Sequence, residues 1–215
     1  MTLQVPLKVI LKVCGITNQP DADAAIAAGA TAIGFNFYPK SPRCIAPELA
    51  ARIATPGAVR VGVFVNEPAL RIAEIAALAA LDVAQLHGDE TPAQYPHSAG
   101  PGGPAAIAVW KAARVSPSFD FSQLDDCPAD SLLLDGPAAE LYGGAGLSFD
   151  WTLAQNARHR IIVAGGLDAS NVTRAIALAQ PWGVDSCSRI ESSPGKKDHP
   201  KMIDFLQAAK AALGA

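Results

Sequence analysis

The sequence contains little charge and few aromatic residues. Only 17% of its 215 residues are charged and 6% are aromatic, whereas 50% are hydrophobic. The formal net charge is -3, so there is no basic excess of the kind that binding to a phosphate backbone requires. We therefore expect no nucleic-acid partner, and a chain of this length to form one domain with a substantial core.

Long apolar runs are also missing. The run from Ile72 to Leu81 is short, rich in alanine and broken by Glu74, well below the roughly 20 residues of a membrane span. Residues 1–6 are followed at once by Lys8 and Lys12, without the basic, apolar and small-residue regions of a secretory leader. The sequence predicts a cytoplasmic protein without a membrane partner.

Cysteine is scarce and dispersed. The four cysteines, Cys14, Cys44, Cys127 and Cys187, form no C-x-x-C pair. This spacing suggests neither a metal site nor a disulfide framework, and it favours free thiols in a reducing compartment. Most such thiols only pack, so position must decide whether one of them is reactive.

What the chain does have is a repeated alternation of apolar runs and helical stretches. The runs are nearly continuous in apolar character, as expected for parallel strands buried on both faces. They begin near Lys8, Thr31, Val59, Asp82, Ala106, Asp130, Arg160 and Trp182. Eight strand and helix pairs favour a closed (β/α)8 TIM barrel, a single domain over residues 1–215, over an open doubly wound sheet of five to seven strands.

Start signals for helices support this pattern. Asn66 precedes Glu67-Pro68, Thr91 precedes Pro92, and Asp198 precedes Pro200, each fitting a capping residue with proline in the first turn. The stretch SAGPGGP, residues 98–104, permits neither helix nor strand and is interpreted as a degenerate fourth helix and loop.

In a (β/α)8 barrel the site is built at the carboxyl ends of the strands. Strand one ends in KVCGIT, strand four in QLHG, and strand six in LLLDG. The end of strand seven, at Gly165 and Gly166, and the end of strand eight, from Asp185 through Cys187 to Ser188, match the barrel phosphate site formed by those two loops. The stretch GGAG, residues 143–146, is interpreted as a flexible loop over the site.

These pieces, in order along most of the chain, resemble the phosphoribosylanthranilate isomerase family of tryptophan biosynthesis. The matching motifs are KVCGIT, GFNFYPKSPR, VGVFVN, QLHGDE, LLLDG, GGAGLSFDW, VAGGL and GVDSCSRIESSPGKKD. The resemblance implies an Amadori rearrangement of a phosphorylated N-glycoside of anthranilate, without cofactor or metal, by one acid and one base. It implies a small-molecule phosphorylated substrate, and either a monomer or a homodimer.

The resemblance assigns Cys14 as the base and Asp135 as the acid. A thiol with a pKa of about 8.5 is a few per cent thiolate at neutral pH, and Gly15 suits a strand end turning into a loop. A carboxyl with a pKa of about 3.9 needs apolar surroundings to act as an acid at pH 7, and three leucines precede Asp135. Without the resemblance, a packing thiol and a turn aspartate would be the simpler interpretations.

Three further residues are assigned to substrate. Arg43 is a candidate for the anthranilate carboxylate, because a guanidinium binds a carboxylate through two parallel hydrogen bonds. Gln85 and His87 face the same side of their strand, which the resemblance turns toward the substrate. His87 is the internal rival of Cys14 for the role of base.

The chain departs from the family pattern beside the predicted phosphate site. Where relatives commonly have SSGVE it reads CSRIE, so Cys187 replaces a serine and Arg189 a glycine, and Ala145 replaces the threonine of GGTG. We expect Arg189 either to contact the phosphate or to point outward. The loss of one hydroxyl at Ala145 is worth about 1 kcal/mol at most, so activity should survive.

Two alternatives remain at this point. One is another phosphate-binding barrel, such as the related isomerase of histidine biosynthesis or indole-glycerol-phosphate synthase, which would use an aspartate pair or a lysine where this chain has Cys14. The other is a barrel that binds a phosphorylated ligand without turning it over.

Overall fold

The fold is a closed parallel β-barrel surrounded by helices. The computed structural model describes residues 9–96, 107–116, 118–136 and 149–215. Eight strands run in chain order: β1 Ile10–Cys14, β2 Ala32–Asn36, β3 Val59–Phe64, β4 Val83–Leu86, β5 Ala108–Arg114, β6 Ser131–Asp135, β7 Ile161–Val163 and β8 Gly183–Ser186. Each pairs in parallel with the next, and β8 returns to β1, so the predicted barrel is confirmed.

In the described ranges, five α-helices cover the barrel. They are α1 Gln19–Ala27, α2 Pro47–Arg52, α3 Ala69–Leu78, α4 Val172–Ala179 and α5 His199–Leu213. As predicted, Asp198 caps α5, since its Oδ1 accepts a hydrogen bond from the Lys201 amide at 3.2 Å. Thr91 also caps as predicted, but the segment it begins is the 3-10 turn Pro92–Gln94.

Two helix predictions are wrong. Asn66 does not cap α3, whose N-cap is Pro68; Asn66 instead adopts φ 53° and accepts a hydrogen bond from the Asp89 amide at 2.8 Å. Between β5 and β6 the described residues form only the 3-10 turn Phe121–Leu124, because Asp120 caps it locally and Pro128 follows closely. The stretch 98–104 lies outside the described residues.

Alternation along the strands separates an inner core from an outer one. The inner core consists of Ile10, Ala32, Val59, Val61, Val83, Trp110, Ala112, Leu133, Ile162 and Ala164. Leu132 and Leu134 belong to the outer cluster between barrel and helices, so only Leu133 points inward. Asp135, two residues further on, therefore turns toward the barrel mouth as expected.

A short antiparallel hairpin follows β8. Its strands are β9 Glu191–Ser193 and β10 Lys196–Lys197, and it lies between the 3-10 turn Ser188–Ile190 and α5. It places two buried charged residues, Glu191 and Lys197, beside the carboxyl end of β1. Over the described residues, no helix combines the length and apolar character needed to cross a membrane.

Candidate active site

A buried ion pair lies beneath the carboxyl ends of β1 and β8. Lys12 is fully buried, and its Nζ lies 3.0 Å from Oδ1 of Asp185, its partner in the strand register. Burial alone would lower the pKa of Lys12, but the Asp185 carboxylate and Cys14 raise it overall, so the ammonium is charged. Burial raises the pKa of Asp185 to about 7, against the attraction of Lys12.

Cys14 lies one inward position above Lys12. Contact with the Cys187 thiol is the largest influence on its pKa and lowers it; burial acts in the opposite direction, and the Lys12 ammonium lowers it further. The net result is a pKa well below that of a free thiol. A thiolate at this position is therefore stabilised by groups that the barrel fixes in place.

Two glycines leave room for these groups. A Cβ at Gly34 would lie 2.9 Å from Sγ of Cys14 and 3.0 Å from Nζ of Lys12. A Cβ at Gly15, whose φ is 75°, would lie 2.8 Å from Cδ of Arg43 and 3.1 Å from Sγ of Cys187. The thiol and its cationic neighbours converge only because these positions carry no side chain.

Arg43 is held at the mouth by the hairpin. Its Nε and Nη2 donate to Glu191 at 2.8 to 3.1 Å, and Lys197 Nζ donates to the same carboxylate at 2.9 Å. Among the described residues Nη1 of Arg43 makes no hydrogen bond. The guanidinium is thus fixed in orientation by Glu191 while one edge stays open to an anion.

Across the mouth, a row of polar side chains leads to Asp135. Gln85 Nε2 donates to Nδ1 of His87 at 2.9 Å, and Nε2 of His87 lies 3.3 Å from Oδ2 of Asp135. A side-chain amide nitrogen can only donate, so Nδ1 of His87 is the acceptor of this bond. Nε2 lies near the carboxyl group but has no hydrogen-bond partner among the described residues. Within the described part of the chain, the buried Oε1 of Gln85 has no hydrogen-bond partner.

The loops after β7 and β8 present backbone amides. Gly165 and Gly166 have φ values of 82° and 65°, and Asn171 Nδ2 fixes the turn by donating to the Gly166 carbonyl at 2.7 Å. Cys187 is the N-cap of the 3-10 turn Ser188–Ile190. In the ranges that the structure describes, no backbone acceptor pairs with the amides of Gly165, Gly166 or Ser188. Successive free amides in such turns form an anion-binding concavity.

Arg189 and Ala145 are two of the positions at which the chain departs from the family pattern. The Arg189 side chain is 52% exposed, and its Nε lies 3.5 Å from Oδ2 of Asp168. Arg189 therefore points outward, which is one of the two arrangements that the sequence led us to expect. The GGAG stretch, with Ala145, lies outside the described residues.

Sequence reasoning missed three residues that shape this site. Lys12 stands in the KVCGIT motif and Glu191 and Lys197 in the last motif, yet none was assigned a role. A lysine between Val9, Ile10, Leu11 and Val13 in a buried strand was a usable signal, because a charge is fully buried only when it is paired. Among the described residues, no cluster of three or more histidine, cysteine, aspartate or glutamate side chains is arranged to hold a metal ion.

A closed parallel barrel with a thiol of lowered pKa, a carboxyl group and backbone amides that lack a backbone acceptor among the described residues, all at the carboxyl ends of its strands, defines a (β/α)8-barrel enzyme. The family model for N-(5'-phosphoribosyl)anthranilate isomerase matches residues 11–208. The isomerase of that name from Solibacter usitatus is 74% identical over 206 residues, which cover 96% of this chain and 100% of the relative.

Solved structures agree. The phosphoribosyl anthranilate isomerase of Thermotoga maritima superposes with a TM-score of 0.82 at 39% identity, covering 94% of this chain and 99% of that one. A second isomerase structure, in complex with reduced 1-(o-carboxyphenylamino)-1-deoxyribulose 5-phosphate, gives a TM-score of 0.78 at 36% identity, with coverage of 94% and 99%. The chain belongs to the phosphoribosylanthranilate isomerase family, so it is an isomerase of tryptophan biosynthesis.

Proposed function

We propose that the chain converts N-(5-phosphoribosyl)anthranilate to 1-(2-carboxyphenylamino)-1-deoxyribulose 5-phosphate by an Amadori rearrangement, with Asp135 as acid and Cys14 as base. The observation that carries the proposal is the contrast between the two groups: a thiol with a lowered pKa among fixed cations, and a carboxyl group at the same mouth whose near neighbour is the imidazole of His87. One group is suited to hold a negative charge and the other to deliver a proton.

The reaction begins at Asp135. Its carboxyl group protonates the furanose ring oxygen, and the ring opens to an iminium ion. Oδ2 lies 3.3 Å from Nε2 of His87, and the other carboxyl oxygen is proposed to carry the transferred proton. This arrangement makes His87 an orienting group for the acid and argues against its role as the base, since Gln85 occupies the lone pair of Nδ1.

Cys14 completes the rearrangement. The thiolate removes the proton at C2′, which the neighbouring iminium has acidified, and the resulting enolamine tautomerises to the ketone. Lys12 stabilises the thiolate before this step, and the thiol formed afterwards stays in contact with Cys187. General base catalysis of this kind contributes roughly 100- to 10,000-fold in rate.

Substrate binding follows the charges of the site. The open edge of Arg43 is proposed to take the anthranilate carboxylate, and the amides of Gly165, Gly166, Cys187 and Ser188 the phosphate. The Gln85 carbonyl oxygen is proposed to accept from a sugar hydroxyl, because a buried oxygen without a partner costs about 1–3 kcal/mol that such a donor recovers. The Asp185 carboxylate pairs with Lys12 and not with the phosphate, so only the backbone of Asp185 is suited to the phosphate.

The relative solved with the reduced product analogue supports this substrate for the chain. The cytoplasmic location and the choice between monomer and homodimer stay predictions.

The test is the fluorescence decay of freshly made phosphoribosylanthranilate. Cys14→Ser and Asp135→Asn are expected to lose at least about 100-fold in kcat. Cys44→Ser is the matched control, since Cys44 is an exposed thiol to which the mechanism gives no role. Undiminished rates in both Cys14→Ser and Asp135→Asn would overturn the mechanism. Binding of the substrate by the parent protein without turnover would indicate a barrel that only binds its ligand.

A further inference from the structure

Cys14 ends β1, and Cys187 directly follows the end of β8. The register of β1 with β8 joins Lys12 to Asp185 and Val13 to Ser186, the last pair before the two cysteines. Sγ of Cys187 lies 3.1 Å from the position of a Cβ at Gly15, the residue after Cys14, and each thiol shifts the pKa of the other.

The spacing of these residues suits a covalent bond. Neighbouring strands lie about 4.7–4.9 Å apart, and disulfides join Cα atoms that are about 4.4–6.8 Å apart. All four cysteines are free thiols in the structure. Because Val13 and Ser186 are register partners, a bond between Cys14 and Cys187 would join the residues that directly follow two neighbouring strand positions.

The surroundings give the two sulfurs different roles. Lys12 lies beside Cys14, and Lys197 Nζ lies 4.0 Å from Sγ of Cys187. Contact with Cys187 and the nearby lysines lower the pKa of Cys14, whereas contact with Cys14 and burial raise the pKa of Cys187. Each sulfur therefore has a lysine beside it, and the directions of the two pKa shifts favour Cys14 as the nucleophile and Cys187 as the sulfur that resolves the sulfenic acid.

We propose that Cys14 and Cys187 form a dithiol that hydroperoxides oxidise to a disulfide, reversibly closing the site. The Cys14 thiolate attacks a peroxide oxygen and breaks the O–O bond; this gives a sulfenic acid, and the leaving oxygen takes up a proton. The Cys187 sulfur then displaces hydroxide from Cys14, and the thiol proton leaves with it as water. Two thiols lose two electrons in total, and one peroxide gains them.

The consequence for activity rests on the proposed function. A disulfide removes the thiolate that acts as base, so isomerase activity is lost on oxidation and returns when a dithiol reductant reopens the bond. The formation of the disulfide itself depends only on the geometry of the two strands. The two claims therefore separate in one experiment.

The test treats the full chain, freed of reductant, with a small excess of hydrogen peroxide. The expected result is loss of two of the four thiols, a mass decrease of two hydrogens, and a peptide in which Cys14 is linked to Cys187. Isomerase activity is expected to fall in parallel and to recover with dithiothreitol. Cys44→Ser is expected to behave as the parent does, with one thiol fewer.

Cys187→Ser is the discriminating variant, and its activity is compared with its own untreated rate. Without a neighbouring thiol, Cys14 is expected to proceed to sulfinic acid, and the activity lost no longer returns with dithiothreitol. Retention of all four thiols in the parent, or linkage through Cys44 or Cys127, would overturn the dithiol and leave the role of Cys14 as base intact. A Cys14–Cys187 disulfide with undiminished activity would instead overturn the closing of the site and the proposed base together.

Discussion

The two sides of the barrel mouth are built differently. The thiol side consists of Lys12, Cys14, Asp185 and Cys187 with the Arg43–Glu191–Lys197 cluster, and its contacts are ion pairs between buried groups. The carboxyl side consists of Gln85, His87 and Asp135, where an amide orients an imidazole and the imidazole faces the carboxyl group. Ion pairs between buried groups surround the thiol, whereas one hydrogen bond from an amide to an imidazole orders the carboxyl side.

The difference follows from what each group has to do. A base at neutral pH needs its charged form stabilised, and nearby cations do this at short range in a buried site. An acid needs its proton retained, and a neutral imidazole can orient a carboxyl group without the strong preference for the carboxylate that a lysine would impose. Each of the following variants alters one side of the mouth, and the measured stability, kinetics or alkylation midpoint shows which side the change affects.

Lys12→Met should have the largest effect. It leaves Asp185 buried without its cation, and breaking a buried pair in this way costs about 3–5 kcal/mol of unfolding free energy. It should also raise the pKa of Cys14, measured as the pH midpoint of alkylation by iodoacetamide, and lower kcat by up to about 100-fold.

Two further variants separate stability from ionisation. Lys12→Met/Asp185→Leu should regain much of the stability, because an apolar pair can replace a buried ion pair, without restoring the alkylation midpoint. Lys111→Met breaks the pair with Glu90 in the loop after β4, on the carboxyl side, and should destabilise without moving that midpoint. A midpoint in Lys12→Met equal to that of the parent would mean that the cation does not control the thiol.

Glu191→Gln should reduce stability in a pH-dependent way. Burial alone would raise the pKa of Glu191, but hydrogen bonds from Arg43 and the charge of Lys197 lower it overall. Since the folded pKa lies below the unfolded value of about 4.3, the stabilisation is complete above that pH and is lost as pH falls through the folded pKa. Urea unfolding should show a deficit of about 2 kcal/mol at pH 7, which narrows below pH 4. The exposed Glu74→Gln variant should follow the parent throughout.

Gly15→Ala and Gly57→Ala form a matched pair. Both glycines have φ 75°, so an alanine at either position should cost about 1–2 kcal/mol of stability. Nothing lies within 4 Å of a Cβ at Gly57, whereas one at Gly15 meets Arg43 and Cys187. Only Gly15→Ala should therefore raise KM. Equal KM values in the two variants would show that the position of Arg43 does not matter for binding.

Gln85→Leu tests the carboxyl side alone. The variant loses the hydrogen bond to Nδ1 of His87, which contributes about 1 kcal/mol to holding the imidazole in position. We therefore expect kcat to fall about five- to tenfold. The alkylation midpoint of Cys14 should stay that of the parent, in contrast to Lys12→Met. A shifted midpoint would show that the two sides are coupled, and the contrast between them would then be wrong.

The sequence predicted the barrel and the strand ends well because their signals are local. Eight apolar runs and the residues that end them are visible along the chain, and Leu133 and Asp135 share a face through simple alternation. The partners of Lys12 and Arg43 were not predictable in the same way. Asp185 and Glu191 lie well over a hundred residues away along the chain, and only closure of β8 onto β1 brings them together. The helix expected between β5 and β6 failed because capping side chains favour a short turn there.

Arg189→Gly should have the smallest effect. The side chain is half exposed and pairs loosely with Asp168 on the loop after β7, and exposed pairs of this kind contribute about 0–1 kcal/mol. If the amides of Gly165, Gly166 and Ser188 bind the phosphate, a distant guanidinium adds only a screened attraction, so KM and its salt dependence should stay close to those of the parent. A several-fold rise in KM with a shallower salt dependence would mean that Arg189 moves from Asp168 to the phosphate. The charged residues of the thiol side would then include one on the loops after β7 and β8.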